Sequence, residues 1–131
     1  MGYRSDVVCI IYPYGVEVNN VEVNKEEKYG LLKTLMATTF KDVVDAWGNN
    51  MEWLDADYIL EFDIPDVKWY GSYPEVKCFE EMRERFEAND FDNFSIEFIR
   101  VGEEDDDVER CYSVDCEYFL QTSTAIARGH R

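Results

Sequence analysis

Imidazole is nearly missing from this chain: its single histidine, His130, lies in the terminal stretch. A catalytic triad built on that residue is not expected, since such a triad needs its base held inside the fold. Glycine-rich phosphate loops and the Gly-x-Ser-x-Gly elbow are also absent, which removes the common nucleotide-binding and hydrolase signatures. The longest apolar run, Val7 to Pro13, is far shorter than the ~20 residues of a membrane-spanning helix. No membrane partner is expected. The opening Met1 to Asp6 shows no signal-peptide organisation, and Asp6 stands where a myristoylation signal carries Ser or Thr. The four cysteines, Cys9, Cys78, Cys111 and Cys116, are scattered and read as reduced thiols of a cytosolic protein. Cys111 and Cys116 are spaced too widely for a zinc knuckle, so neither a metal nor a cofactor is expected.

Basic residues are scarce as well, 13 against 29 Asp and Glu, giving a net charge of −16. The imbalance is local: residues 51–117 hold 22 acidic and six basic side chains. Such a surface repels nucleic acid and membranes and attracts basic partner surfaces, with fast, salt-sensitive association. Hydrophobic residues still make up 46% and aromatics 15% of the 131 residues. That is enough to pack one core, so high charge does not imply disorder. One domain over residues 1–124 is expected, followed by a flexible basic tail over 125–131.

Val7 to Tyr12 reads as a strand covered on both faces, because its apolarity is continuous. Asn24 and Glu27 have capping-box spacing. Leu32, Leu35, Met36, Thr39, Val43 and Trp47 then trace one helical stripe ended by Gly48 and Asn49, with Thr38-Thr39 placed to bend or split it. Tyr58 to Phe62 reads as a strand, and Val67 to Tyr70 as its continuation or a third strand beyond Pro65. Ser72 and Glu75 suggest a second capping box with Pro74 in the first turn, and Val76, Phe79, Met82, Arg83 and Phe86 mark the buried side of that helix. Phe94 to Val101 alternates at period two, and Cys116 to Thr124 offers a last strand. The order predicts an α+β fold: a mixed or antiparallel sheet with two helices on one face, resembling a ferredoxin-like sandwich.

Several constellations have competing readings. Glu103, Glu104, Asp105, Asp106 and Asp107, with Glu109 beyond, lack the alternation and internal glycine of a calcium loop. They can instead open a short helix through Tyr112, where carboxylates favour the helix dipole, or form a partner-facing patch. Pro65-Asp66 with Glu75 and Lys77 spells a nuclease motif. On a helix, however, the last two residues point about 200° apart, so the match is read as chance. Trp69, Tyr70 and Tyr73 suit either a protein hot spot or a core cap. Glu80, Glu84 and Glu87 line the second helix among Arg83 and Arg85, as mimicry or as ordinary solubilising charge.

Three segments resemble small bacteriophage and prophage proteins of uncharacterised function: Gly2 to Val7, Val67 to Val76, and Phe98 to Glu103 leading into Asp105 to Asp107. The resemblance covers about a third of the chain and implies action in the cytoplasm of an infected bacterium. No activity comes with it. Joined to the charge, it leads to the expectation of a non-enzymatic inhibitor of anti-CRISPR or anti-restriction type. Such a protein would occupy the basic surface of a host nucleic-acid-binding complex without touching nucleic acid itself. Its carriers would be Glu103, Glu104, Asp105, Asp106, Asp107 and Glu109, supported by Glu80, Glu84, Glu87, Tyr70 and Tyr73. A structural phage module with a solubilising surface, or a metal-dependent enzyme or small-ligand binder, are the alternatives. The sequence leaves the oligomeric state open.

Overall fold

All nine residues of the first strand, β1 (Ser5–Pro13), are buried, as an unbroken apolar run requires when both faces of a strand are covered. The computed structural model of the protein describes residues 3–13, 24–91, 94–104 and 107–112. After β1 come α1 (Lys25–Ala37), α2 (Lys41–Trp47), a single 3₁₀ turn (Gly48–Asn50), β2 (Met51–Leu54) and β3 (Ile59–Val67). Then follow α3 (Pro74–Glu87), β4 (Phe94–Val101) and β5 (Val108–Tyr112). The strands lie in the order β2-β3-β1-β4-β5, and every neighbouring pair is antiparallel. Up to β4 this is the β-α-β-β-α-β connectivity of a ferredoxin-like sandwich, with β1 between β3 and β4. β5 extends the sheet by one edge strand. The expected α+β class holds.

The main core joins one face of the sheet to the helices. Val7, Cys9 and Ile11 of β1, Leu60, Phe62 and Ile64 of β3, and Phe94, Ile96 and Phe98 of β4 pack there with Leu32, Met36, Val43, Trp47, Val76, Phe79, Met82 and Phe86. On the opposite face Val8, Ile10, Tyr12, Ile59 and Ile99 form a second buried cluster. The fully buried Glu97 on that face accepts the Tyr12 hydroxyl at 2.6 Å, which satisfies a carboxylate that burial would otherwise penalise.

Local chemistry explains the joints. Asn24 caps α1 by accepting the Glu27 N–H at 3.1 Å. The Thr38 hydroxyl bonds the Thr34 carbonyl at 2.7 Å, and the backbone leaves the helical region at Thr38, splitting the helix where the two threonines stand. The restart shifts the buried stripe onto Phe40, and Thr39 is exposed. At the end of α3 the Asn89 N–H reaches the Phe86 carbonyl and the Asp90 N–H the Arg85 carbonyl, both at 3.1 Å. This is a Schellman ending with Asn89 at φ 60°.

Four expectations need correction. The described residues between 103 and 112 do not form a helix. Gly102 and Asp107 close a turn, N–H to carbonyl at 2.8 Å, and β5 pairs with the edge of β4 that would otherwise carry unpaired backbone groups. The cap of α3 is Tyr73, without a side-chain bond, so Ser72 makes no capping box; Pro74 does hold the first helical position. β3 runs through Pro65. Its pairing with β1 shifts by one residue between Ser5↔Val67 and Val7↔Ile64, and the Asp66 N–H at φ 51° is taken by Asp6 Oδ1 at 2.8 Å. That bulge tolerates a proline a regular central strand would reject. Finally, β2 is an additional short edge strand, paired from Met51↔Phe62 to Leu54↔Ile59. The proposed strand from Cys116 to Thr124 and the tail lie outside the described residues.

Candidate functional site

Two groups of acidic residues contrast: those gripped by Arg83 and Arg100, and those exposed along the helices. Arg100, on β4, forks onto Asp107 (Nη2 to Oδ1 2.9 Å, Nη1 to Oδ2 3.2 Å), while its Nε donates to Glu109 at 3.1 Å and Nη1 to the Ser5 hydroxyl at 3.0 Å. The Tyr3 hydroxyl adds a 2.5 Å bond to Asp107 Oδ2. Arg100, then Tyr3, holds the Asp107 carboxyl below its ordinary range, and the same carboxylate pushes Tyr3 up. Gly102 makes this knot feasible, because a β-carbon there would run into the Asp107 carboxylate and the Tyr3 hydroxyl. Asp107 and Glu109 therefore fasten β1, β4 and β5 together.

Arg83 plays the same part on α3. Its guanidinium takes Glu80 through Nε and Glu87 through Nη1, both at 2.5 Å, and lies 4.9 Å from the centre of the Phe98 ring. Burial lowers the Arg83 pKa, but the two carboxylates outweigh it and the net shift is upward. Burial also pushes Glu87 up, with Arg83 pulling against it. Glu80 further accepts the Trp69 indole N–H at 3.1 Å. Trp69 itself packs against Trp47 and Phe98 at a tilt and against Phe79 edge-on, which makes it a cap on the core.

The outward-facing set is different. Along the seam of α2 and α3 runs an open groove lined by Asp42, Asp45, Glu75 and Cys78. It continues past Glu81 and Arg85 to Glu84 and Asp90. Six carboxylates thus line one continuous face. The basic residues beside them are engaged: Lys41 pairs with Asp45 at 3.6 Å, and Arg85 pairs with Asp90 at 3.3 Å while stacking on Phe91. Burial first, and then the Asp42 charge, raise the Cys78 thiol pKa, so this cysteine is a poor nucleophile.

Tyr70 and Tyr73 connect this groove to the end of the sheet. Tyr70 accepts the Tyr3 N–H at 2.7 Å, and its ring meets Tyr73 edge-on at 5.3 Å. Tyr73 is the cap residue of α3, directly before the Pro74 and Glu75 that line the groove. On the other side of Tyr3 stand the exposed Glu103, which accepts the Arg4 N–H at 2.8 Å, and Glu104, whose N–H donates to the Tyr3 hydroxyl at 3.2 Å. Contacts through Tyr3 thus link the turn that carries Glu103 and Glu104 to Tyr70 and Tyr73 at the start of α3.

Of the residues singled out from sequence, Glu84 lines the groove, while Glu103, Glu104, Tyr70 and Tyr73 are gathered around Tyr3 and the start of α3. Asp107, Glu109, Glu80 and Glu87 are tied to arginines, and Asp105 and Asp106 lie outside the described residues. The groove also contains Asp42, Asp45, Glu81 and Asp90, which no sequence motif marks, and Glu75 of the nuclease-like string. Asp42 and Asp45 come from a segment of low net charge, and only the packing of α2 on α3 brings them to the others. Glu75 and Lys77 of the nuclease-like string sit in the first turn of α3, the helical placement that separates them. Among the described residues no three His, Cys, Asp or Glu side chains converge as a metal site, and no helix is long and apolar enough to cross a membrane. No family model, curated protein or solved structure matches the chain, which leaves the chemistry of its surface as the guide to function.

Proposed function

We propose that this chain is a phage-encoded acidic docking protein that occupies the basic surface of a host nucleic-acid-binding complex, in the manner of an anti-CRISPR or anti-restriction inhibitor. The observation that carries the reading is the outward-facing row of carboxylates along α2 and α3, set on a packed core, with Tyr70 and Tyr73 at the start of α3. Enzymes that grip a duplex present dense Lys and Arg to a phosphate about every 1.7 Å, and an acidic face on ordered helices can compete for those cations. Half-buried tyrosines beside the acids supply the amphipathic anchors typical of interface hot spots. The gripped carboxylates, Asp107, Glu109, Glu80 and Glu87, are held by Arg100 and Arg83 within the domain instead.

The test is capture of bacterial proteins on the tagged chain at low and high salt, followed by competition with duplex DNA for each captured protein. The reading expects a DNA- or RNA-binding protein that salt and nucleic acid both displace. It also expects the Asp42→Asn, Asp45→Asn, Glu75→Gln, Glu81→Gln variant to bind at least about tenfold more weakly with a flatter salt dependence. Capture that is indifferent to salt and to nucleic acid would sink it.

A further inference from the structure

The β2–β3 hairpin and α1 together build a cation site that the protein fills with its own lysine. Lys33 Nζ lies 4.7 Å from the centre of the Tyr29 ring and 5.4 Å from that of Trp53, with Asp55 Oδ1 at 3.4 Å. Tyr29 is fixed from below: its hydroxyl donates to Asp55 at 2.7 Å, and Trp53 and Tyr58 meet it edge-on, each at 5.6 Å. The turn that carries Asp55 ends on Tyr58 at φ 58°, where glycine or asparagine is favoured. A tyrosine there sets its ring edge-on against Tyr29. Two aromatic walls and one carboxylate are the components of the cages that hold organic cations. The occupant is weakly held, since the side chains of Lys33 and Asp55 are 47% and 74% exposed and an exposed ion pair contributes little.

We propose that Tyr29, Trp53 and Asp55 form a receptor for an arginine side chain of the basic partner, with Lys33 as a displaceable plug. The inference rests on the reading of the chain as a docking protein for basic surfaces. Arginine suits the site better than lysine. Its planar guanidinium stacks on aromatic faces while its N–H fork reaches a carboxylate, and it gives up hydration more readily than an ammonium. Lys33 holds the cage open in the free protein and returns to water when the partner's guanidinium enters.

The experiment needs no partner. Tyr and Trp ring resonances are followed by NMR while N-acetyl-arginine amide, or its neutral isostere N-acetyl-citrulline amide, is added to wild-type protein and to Lys33→Met. The expected result is saturable shifts at Tyr29 and Trp53, with arginine preferred over citrulline by about tenfold in K33M and a weaker response in wild type, where Lys33 competes. Asp55→Asn in the K33M background changes an exposed side chain and should remove the preference. Equal response to arginine and citrulline, or shifts spread over all acidic surfaces without saturation at Trp53, would overturn the proposal. That failure would leave salt-dependent capture by the α2–α3 face untouched, and loss of capture would not by itself empty the cage.

Discussion

Replacing Arg83 by Met removes one guanidinium while keeping an unbranched apolar side chain, and it strands two carboxylates. In the native fold the Arg83 side chain is 11% exposed, and those of Glu80 and Glu87 are 24% and 26% exposed. Breaking a fully buried pair by deleting one partner costs about 3–5 kcal/mol. Because each glutamate here keeps some contact with water, we expect Arg83→Met to cost about 2–3 kcal/mol at neutral pH. Urea unfolding has a slope of about 1–3 kcal/mol per molar for small domains, so the midpoint should fall by about 1–2 M. Adding Glu80→Gln and Glu87→Gln removes the stranded charges and should recover more than half of the loss. The pH dependence has a definite sign. Burial raises the Glu87 pKa in the native state and Arg83 opposes that rise, so an ionised Glu87 weakens the fold and protonation relieves it. Without Arg83 the penalty at neutral pH is larger, and the gap between variant and wild type closes as pH falls through the native pKa of Glu87. A cost below about 0.5 kcal/mol, a triple variant less stable than the single one, or a gap that widens with acid would each refute this account.

Two further outcomes follow from backbone and packing. Gly102→Ala should force Asp107 out of the Arg100 fork and away from Tyr3, lowering the melting temperature by about 5 °C; an unchanged melting temperature would mean that the loop yields without loosening the knot. Asn89→Gly should change stability by only a few tenths of a kcal/mol, whereas Asn89→Val should cost about 1–2 kcal/mol, because a branched β-carbon opposes the left-handed backbone that closes α3. Equal urea midpoints for the two variants would contradict the Schellman ending.

Periodicity made most of the fold readable. Phe94 to Val101 alternates because one face meets the helices, and Val76, Phe79, Met82 and Phe86 repeat because α3 lies on the sheet. What stayed hidden was decided at long range. β2 is four residues between Asn50 and Asp55 and forms because it can add to β3, not because Met51 to Leu54 has strong strand chemistry. β5 is similar: Val108 to Tyr112 becomes a strand since β4 offers an edge and Arg100 stands opposite Glu109. Five consecutive acids gave a reasonable helix start on local grounds. The Gly102–Asp107 closure, built on contacts with Tyr3 a hundred residues away, prevailed.

The acidic surface shows why charge is harder to read than hydrophobic pattern. A buried apolar face must repeat along its element, but a carboxylate looks the same whether it faces solvent or an arginine. Glu80 and Glu84 are one helical turn apart on α3; the first is held by Arg83 and Trp69, the second faces water. Counting acids therefore overstates the exposed negative charge around Asp107 and Glu109 and understates it around Asp42 and Asp45. The net charge is nevertheless compatible with a firm core because the two arginines nearest that core, Arg83 and Arg100, are where carboxylates concentrate. Beyond the acids neutralised at Arg83 and Arg100, the α2–α3 seam carries more carboxylates than cations: Asp42, Asp45, Glu75, Glu81, Glu84 and Asp90 against Lys41 and Arg85. Surface substitutions there should leave stability within about 0.5 kcal/mol while changing association. That separation between fold and binding is what a docking face requires.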